Sequence, residues 1–177
     1  VILLQLGVVS SELDDAVQRV ETALQCTVND ERGRWILDQQ HHDARCEYAL
    51  TGLIQGKRTN IIIDRTFVDT QGCVSVAEGR MPGATDTQGR ADAKGFVSVA
   101  GGRTPQATDE QGVRWIIDYK TGRHEGGDIN AFLDNEQNRY RGQLERYATL
   151  MRQWDKTHTI RLGLYFPLVG GWRAWPA

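Results

Sequence analysis

Two apolar runs in this chain each end on an aspartate. Trp115-Ile116-Ile117 leads into Asp118-Tyr119-Lys120-Thr121-Gly122, and Ile61-Ile62-Ile63 leads into Asp64. On a strand, side chains alternate between faces, so Asp118 and Lys120 point one way and Tyr119 the other. Charge within an apolar segment is costly unless it is paired or binds a metal. Two aspartates and a lysine make a metal-and-base arrangement. Carboxylates are hard oxygen ligands suited to Mg2+ or Mn2+. Such an ion stabilises charge on a phosphoryl oxygen and generates a hydroxide nucleophile. A lysine beside it orients the attacking water or counters transition-state charge. The plainer alternatives are an Asp118–Lys120 salt bridge and an Asp64 that ends a strand or pairs with Arg65. Further along, Gln143 and Tyr147 stand four apart and share a helix face.

Other chemistries lack their residues. The Lys120-Thr121-Gly122 tripeptide occurs in serine β-lactamases, but the chain has no Ser-x-x-Lys. It has no Gly-x-x-x-x-Gly-Lys-Ser/Thr phosphate loop, no Cys-x-x-Cys and no His-Glu-x-x-His. Cys26, Cys46 and Cys73 are odd in number and widely spaced, which reads as reduced packing residues in a cytoplasmic protein. The 177 residues fit one domain, 1–177, with 40% hydrophobic and 25% charged residues. The net charge of −2 argues against a module that grips nucleic acid by bulk charge alone. No apolar run approaches the length of a membrane helix.

The elements that must position these residues follow from periodicity. Leu13, Val17, Val20 and Leu24 form a helical stripe preceded by Ser10 and Ser11, predicting a core-facing helix over about 11–27. A turn at Asn29–Gly33 leads to a short strand, Arg34–Leu37. Residues 39–45 read as a polar loop holding His41 and His42, of which at most one could face a site. Strands follow at Cys46–Gln55, with Glu47 near its start, and at Ile61–Asp69. Residues 74–89 recur at 97–112 with 12 of 16 positions identical, a tandem duplication within an insertion at about 70–112. With that insertion removed, the two aspartate strands join as an antiparallel hairpin, bringing Asp64 beside Asp118. A polar loop over 123–128 and residues Phe132 and Leu133 precede a long helix, about 135–155. Its stripe is Tyr140, Leu144, Tyr147, Met151 and Trp154, and Arg139, Arg146 and Arg152 lie along it. Strands at Thr159–Phe166 and Trp172–Trp175 close the chain. The order predicts an α/β fold with a mixed central sheet flanked by helices.

Asp64, then Asp118-Tyr119-Lys120, then Gln143-x-x-x-Tyr147, in this order, resembles the PD-(D/E)XK nuclease superfamily. The nearer likeness is to the RecB-type nuclease domain at the C-terminal end of helicase-nucleases of the exonuclease V beta-subunit kind. The resemblance spans roughly 45–170 and is carried by Ile63-Asp64-Arg65, Trp115–Gly122 and Gln143–Ala148. It implies a restriction-endonuclease-like core and magnesium-dependent hydrolysis of DNA in recombination and repair. Asp64, Asp118 and the Tyr119 backbone carbonyl would ligate Mg2+, with Mn2+ as a substitute. Lys120 would position the water, and Gln143 and Tyr147 would support the site or contact DNA. Glu47 would match an acid the family often places upstream. The implied partners are DNA, as single-stranded ends, and a helicase in the same chain or a partner subunit, with no membrane. The chain would be a C-terminal piece of such a protein. The first helix lacks the histidine that the family often adds as a ligand, which leaves a non-catalytic, DNA-guiding module as the alternative.

Overall fold

Asp30 decides the first turn of the chain path. Its backbone is extended, and its carboxylate accepts the amide N–H groups of Arg32 (3.4 Å) and Gly33 (3.2 Å). This is an N-cap, and it starts a helix where the sequence suggested a strand at Arg34–Leu37. The computed structural model describes residues 5, 7–70, 112–122, 124 and 126–177. The duplicated stretch therefore lies outside the described residues apart from its flanks.

The elements in order are helix α1 (Leu13–Asn29, after a 3-10 turn at Ser10–Glu12), α2 (Glu31–Leu37), strands β1 (His42–Ile54), β2 (Lys57–Asp69) and β3 (Val113–Tyr119), helix α3 (Ile129–Trp154), and strands β4 (Thr159–Phe166) and β5 (Gly171–Pro176). The fold is α/β, with one mixed sheet ordered β1-β2-β3-β4-β5. Among the described residues only β3 and β4 run parallel; the other neighbours are antiparallel. β2 and β3 pair antiparallel from Asp69↔Val113 to Arg65↔Ile117, as the hairpin reading required. β3 and β4 are buried on both faces, which is why they read as unbroken apolar runs. The Ile61-Ile62-Ile63 run of β2 is not, since Ile62 is 55% exposed. α3 covers one face, packing Leu144, Ala148 and Met151 on Ile63, Ile116 and Leu164. α2 covers the other, with Ile36 against Phe67, Trp115 and Tyr165.

Several expectations are corrected. α3 begins at Ile129, because Asp128 caps it by accepting the Asn130 amide at 2.8 Å, so Phe132 and Leu133 lie inside it. Trp154, expected in its core stripe, is 65% exposed. β1 starts at His42, so the polar 39–45 segment is partly strand. The stripe of α1 faces outward: Val17, Val20, Leu24 and Val28 are exposed. Its inner side carries Ala16, Ala23, Cys26 and Thr27 instead. α1 packs on α2 and on the 3-10 turn Pro167–Val169. The approach is close: a Cβ on Gly33 would strike the Thr27 carbonyl oxygen and the Tyr165 hydroxyl. Small residues are needed there, and the large ones are left outside. The Tyr165 hydroxyl donates to the Asp30 carboxylate at 2.8 Å, tying the α1–α2 junction to β4. Among the described residues no helix is long and apolar enough to cross a membrane.

At the N-terminal ends of β3 and β4, Arg114 is buried and donates to Asp155 and Asp43, each at 2.8 Å. Asp155 also accepts the Thr157 and His158 amides at 3.1 Å and meets the His158 ring. Burial would raise the Asp155 carboxyl, but these donors outweigh it and hold the group at about 2.

Two predictions follow from this packing. Gly163→Ala would press a Cβ into the Trp172 ring and Ile117, and is expected to lower stability by about 1–3 kcal/mol. Leu24→Lys, on the outward stripe, should change it by less than about 0.5 kcal/mol; urea titration reads both. A carboxyl held low in the fold stabilises it above its ordinary range and loses that contribution as pH falls. Asp155→Asn should therefore cost about 2 kcal/mol near neutrality. That deficit should shrink as pH drops from 3.8 toward about 2, and a deficit independent of pH would contradict the assignment.

Candidate metal site

The ladder between β2 and β3 stops at Arg65↔Ile117. One step on, the Asp64 side chain takes over. Its Oδ2 accepts the Tyr119 backbone N–H at 2.9 Å, the role a main-chain carbonyl would otherwise fill. On the other side β3 stays joined to β4, with the Lys120 N–H donating to the Tyr165 carbonyl at 2.8 Å. Across from Asp64, the register places Glu47, between the pairs Cys46↔Arg65 and Tyr48↔Ile63. Glu47 has φ +48°, a left-handed conformation that costs a non-glycine residue energy. β2 changes face here. Ile63 belongs to the core under α3, whereas Phe67, of the same parity, belongs to the opposite core.

The residues singled out by type and spacing meet at this point. Asp118 is buried, and its Oδ1 accepts from the Gln143 amide nitrogen at 3.3 Å. The same nitrogen lies 2.7 Å from the Tyr147 hydroxyl. Lys120 forms an ion pair with Asp118 Oδ2, and its ammonium lies 3.9 Å from the centre of the Tyr140 ring. Although it has that charge neighbour, Oδ2 accepts no well-aligned hydrogen bond and is shut off from solvent. Burial raises the Asp118 carboxyl above its ordinary range, and the Asp64 charge adds to this against the opposing pull of Lys120. Tyr119 points to the other face, as alternation requires. Burial is the main cause that pushes its phenol up to about 12, and the ring meets Tyr165 edge-on at 6.3 Å. It brings only its backbone to the site.

Asp64 and Asp118, with the Tyr119 carbonyl, would offer Mg2+ oxygen ligands of the kind it takes. Among the described residues no three His, Cys, Asp or Glu side chains are grouped so as to hold a metal ion. The residues fit such an ion in one respect: the Asp64 charge disfavours an ionised Asp118, and a cation between the two carboxylates would relieve that.

Other residues do not join. Glu47 is exposed. His41 is stacked on Phe67 at 3.9 Å with its Nε2 on the Trp35 carbonyl at 2.7 Å, so it is a packing residue. Cys46 is exposed, not packed inside, and lies 3.3 Å from an Arg65 nitrogen. Two site neighbours escaped the sequence reading. Tyr140 looked like core, although its place three residues before Gln143 put it on the same face. Arg19 of α1 donates to the Thr121 carbonyl at 2.6 Å, next to Lys120. Nothing in the sequence signals that tie. No protein-family model matches the chain, and no curated protein matches it.

If the two carboxylates sense each other, Asp64→Asn should lower the pH at which Asp118 titrates, toward the ordinary carboxyl range. Carboxyl 13C chemical shifts followed against pH measure this directly, and an unmoved Asp118 titration would separate the two groups electrostatically.

Proposed function

We propose that this chain is a nuclease domain of the PD-(D/E)XK kind, with a restriction-endonuclease-like core, that hydrolyses DNA phosphodiester bonds with Mg2+. One observation supports the reading above the others. The Gln143 amide bridges Asp118 and Tyr147, so two elements, β3 and α3, meet at a single carboxylate. A salt bridge kept only for stability has no need of that glutamine. The substrate reading is single-stranded DNA ends, delivered by a helicase in the same polypeptide or in a partner subunit.

In this mechanism a divalent ion held by Asp64, Asp118 and the Tyr119 carbonyl supplies Lewis acidity when bound. Lys120 positions the attacking water and offsets charge on the phosphoryl oxygens. The water oxygen bonds to phosphorus, the bond to the leaving sugar oxygen breaks, and a proton passes to that oxygen. Gln143 fixes the rotamer of Asp118 by donating to one oxygen, which leaves the other for the ion. Tyr147 fixes Gln143 in turn. Tyr140 shields the Lys120 ammonium from water on one side, which strengthens its charge at the reacting phosphate.

The small donor set favours a second reading, a nuclease-like module that guides DNA without cutting it. The two separate in one assay. The folded protein with Mg2+ should degrade end-labelled single-stranded DNA, and chelation should stop it. Asp118→Ala and Lys120→Ala should each lower the rate at least about 100-fold. Wild-type protein that binds the strand but leaves it intact with Mg2+ or Mn2+ would select the module.

A further inference from the structure

α3 carries a glycine that neither packing nor backbone geometry explains. Gly142 lies mid-helix, where glycine is the least favoured residue after proline. Its φ is not positive, and a Cβ placed on it would meet only one atom within 4 Å, an Arg146 guanidinium nitrogen at 4.0 Å. Alanine would fit there and make a better helix. Gly142 is exposed and immediately precedes Gln143, which holds Asp118.

Its neighbours on the same face carry charge. Arg139 and Arg146 stand three residues before it and four after, so the three form one strip along the exposed side of α3. Arg146 is exposed and has no carboxylate partner among the described residues; its guanidinium lies back over Gly142. Arg139 is 68% exposed and only loosely paired, with Glu136 at 3.4 Å. Guanidinium groups suit phosphate oxygens because of their planar, forked donors. A glycine between them removes the side chain that would hold a phosphodiester backbone away from the helix.

We propose that Arg139, Gly142 and Arg146 form a seat for the sugar–phosphate backbone of the strand being cut, on one side of the bond at Asp118. The proposal rests on the nuclease reading, and it names a binding surface outside the reacting atoms. The seat holds backbone rather than bases, so it takes any sequence.

The test measures binding of fluorescein-labelled oligothymidylate by anisotropy, in EDTA so that no strand is cut, over a range of salt. Each of Arg139→Ala and Arg146→Ala should weaken binding several-fold. Each should also reduce the slope of log affinity against log salt by about 0.7, and the double variant by about 1.4. Gly142→Ala should raise Tm by about 2–4 °C and yet weaken binding. Arg152→Ala, about 80–140° around the helix from the three strip residues, should change neither affinity nor slope. The seat is overturned if the arginine variants keep the wild-type slope, if Gly142→Ala binds as tightly as wild type, or if Arg152→Ala does equal damage. Wild type that cuts DNA with Mg2+ while the variants bind normally would remove the seat and leave the nuclease reading standing. Wild type that neither binds nor cuts would remove both.

Discussion

The site depends on one substitution in a hydrogen-bond ladder. Where β2 and β3 would continue to pair, the Asp64 carboxylate accepts the Tyr119 amide in place of a backbone carbonyl. A side-chain carboxylate reaches further than a carbonyl, so the strands separate at that step without leaving the amide unsatisfied. The separation makes room for two acids. It also places Asp64 at the mouth of the gap and Asp118 within it, and the left-handed Glu47 on β1 lies opposite, where β2 changes face. Strain of this kind persists only where the surrounding structure enforces it. Here the enforcement comes from paired strands on both sides of the bend.

The second requirement is that α3 cross the sheet at the right height. Its apolar stripe places Leu144 and Ala148, both fully buried, on the sheet. That fixes the rotation of the helix. Gln143 and Tyr147, each one residue earlier, then face the end of β3 with no further adjustment. Core packing and site geometry are thus a single constraint. A slip of one residue along α3 would turn Gln143 by about 100° away from Asp118.

The strands and the convergence of the site were legible in the sequence because their signals are local and repeated. Apolar runs marked the strands, and Asp118 marked the end of β3, but Asp64 lies mid-strand in β2, where the ladder to β3 stops. α2 was not legible as a helix: seven residues show too little periodicity to separate helix from strand, and its cap residue, Asp30, read as turn chemistry. Periodicity found α1 but not its orientation. A helical stripe shows that large apolar residues share a side, not that the side faces this sheet. Close approach to Gly33 and Tyr165 requires small residues, and that information lies in another part of the chain. Arg19 escaped for the same reason: its partner is the Thr121 carbonyl, and a backbone acceptor leaves no trace in sequence.

The two ends of β3 hold carboxylates in different surroundings. At its N-terminal end, the buried Arg114 has two carboxylates at 2.8 Å, and Asp155 has both Arg114 and two backbone amides. Arg114 is paired there with Asp43 and Asp155, and the Asp155 carboxyl is held low. Four residues along the same strand, Asp118 is buried like Arg114 but shares its surroundings with a second acid. Its carboxyl is raised, and one oxygen accepts no well-aligned hydrogen bond. At both ends a carboxylate has a cationic partner, Arg114 for Asp155 and Lys120 for Asp118; at the second, burial and the Asp64 charge nevertheless keep the carboxyl raised. Under the proposed function, a bound cation would offset that repulsion. Lys120 supplies part of that charge from a flexible chain, over the Tyr140 ring. A flexible counter-ion can step aside when a stronger one binds, and can then turn to the anion the stronger one brings.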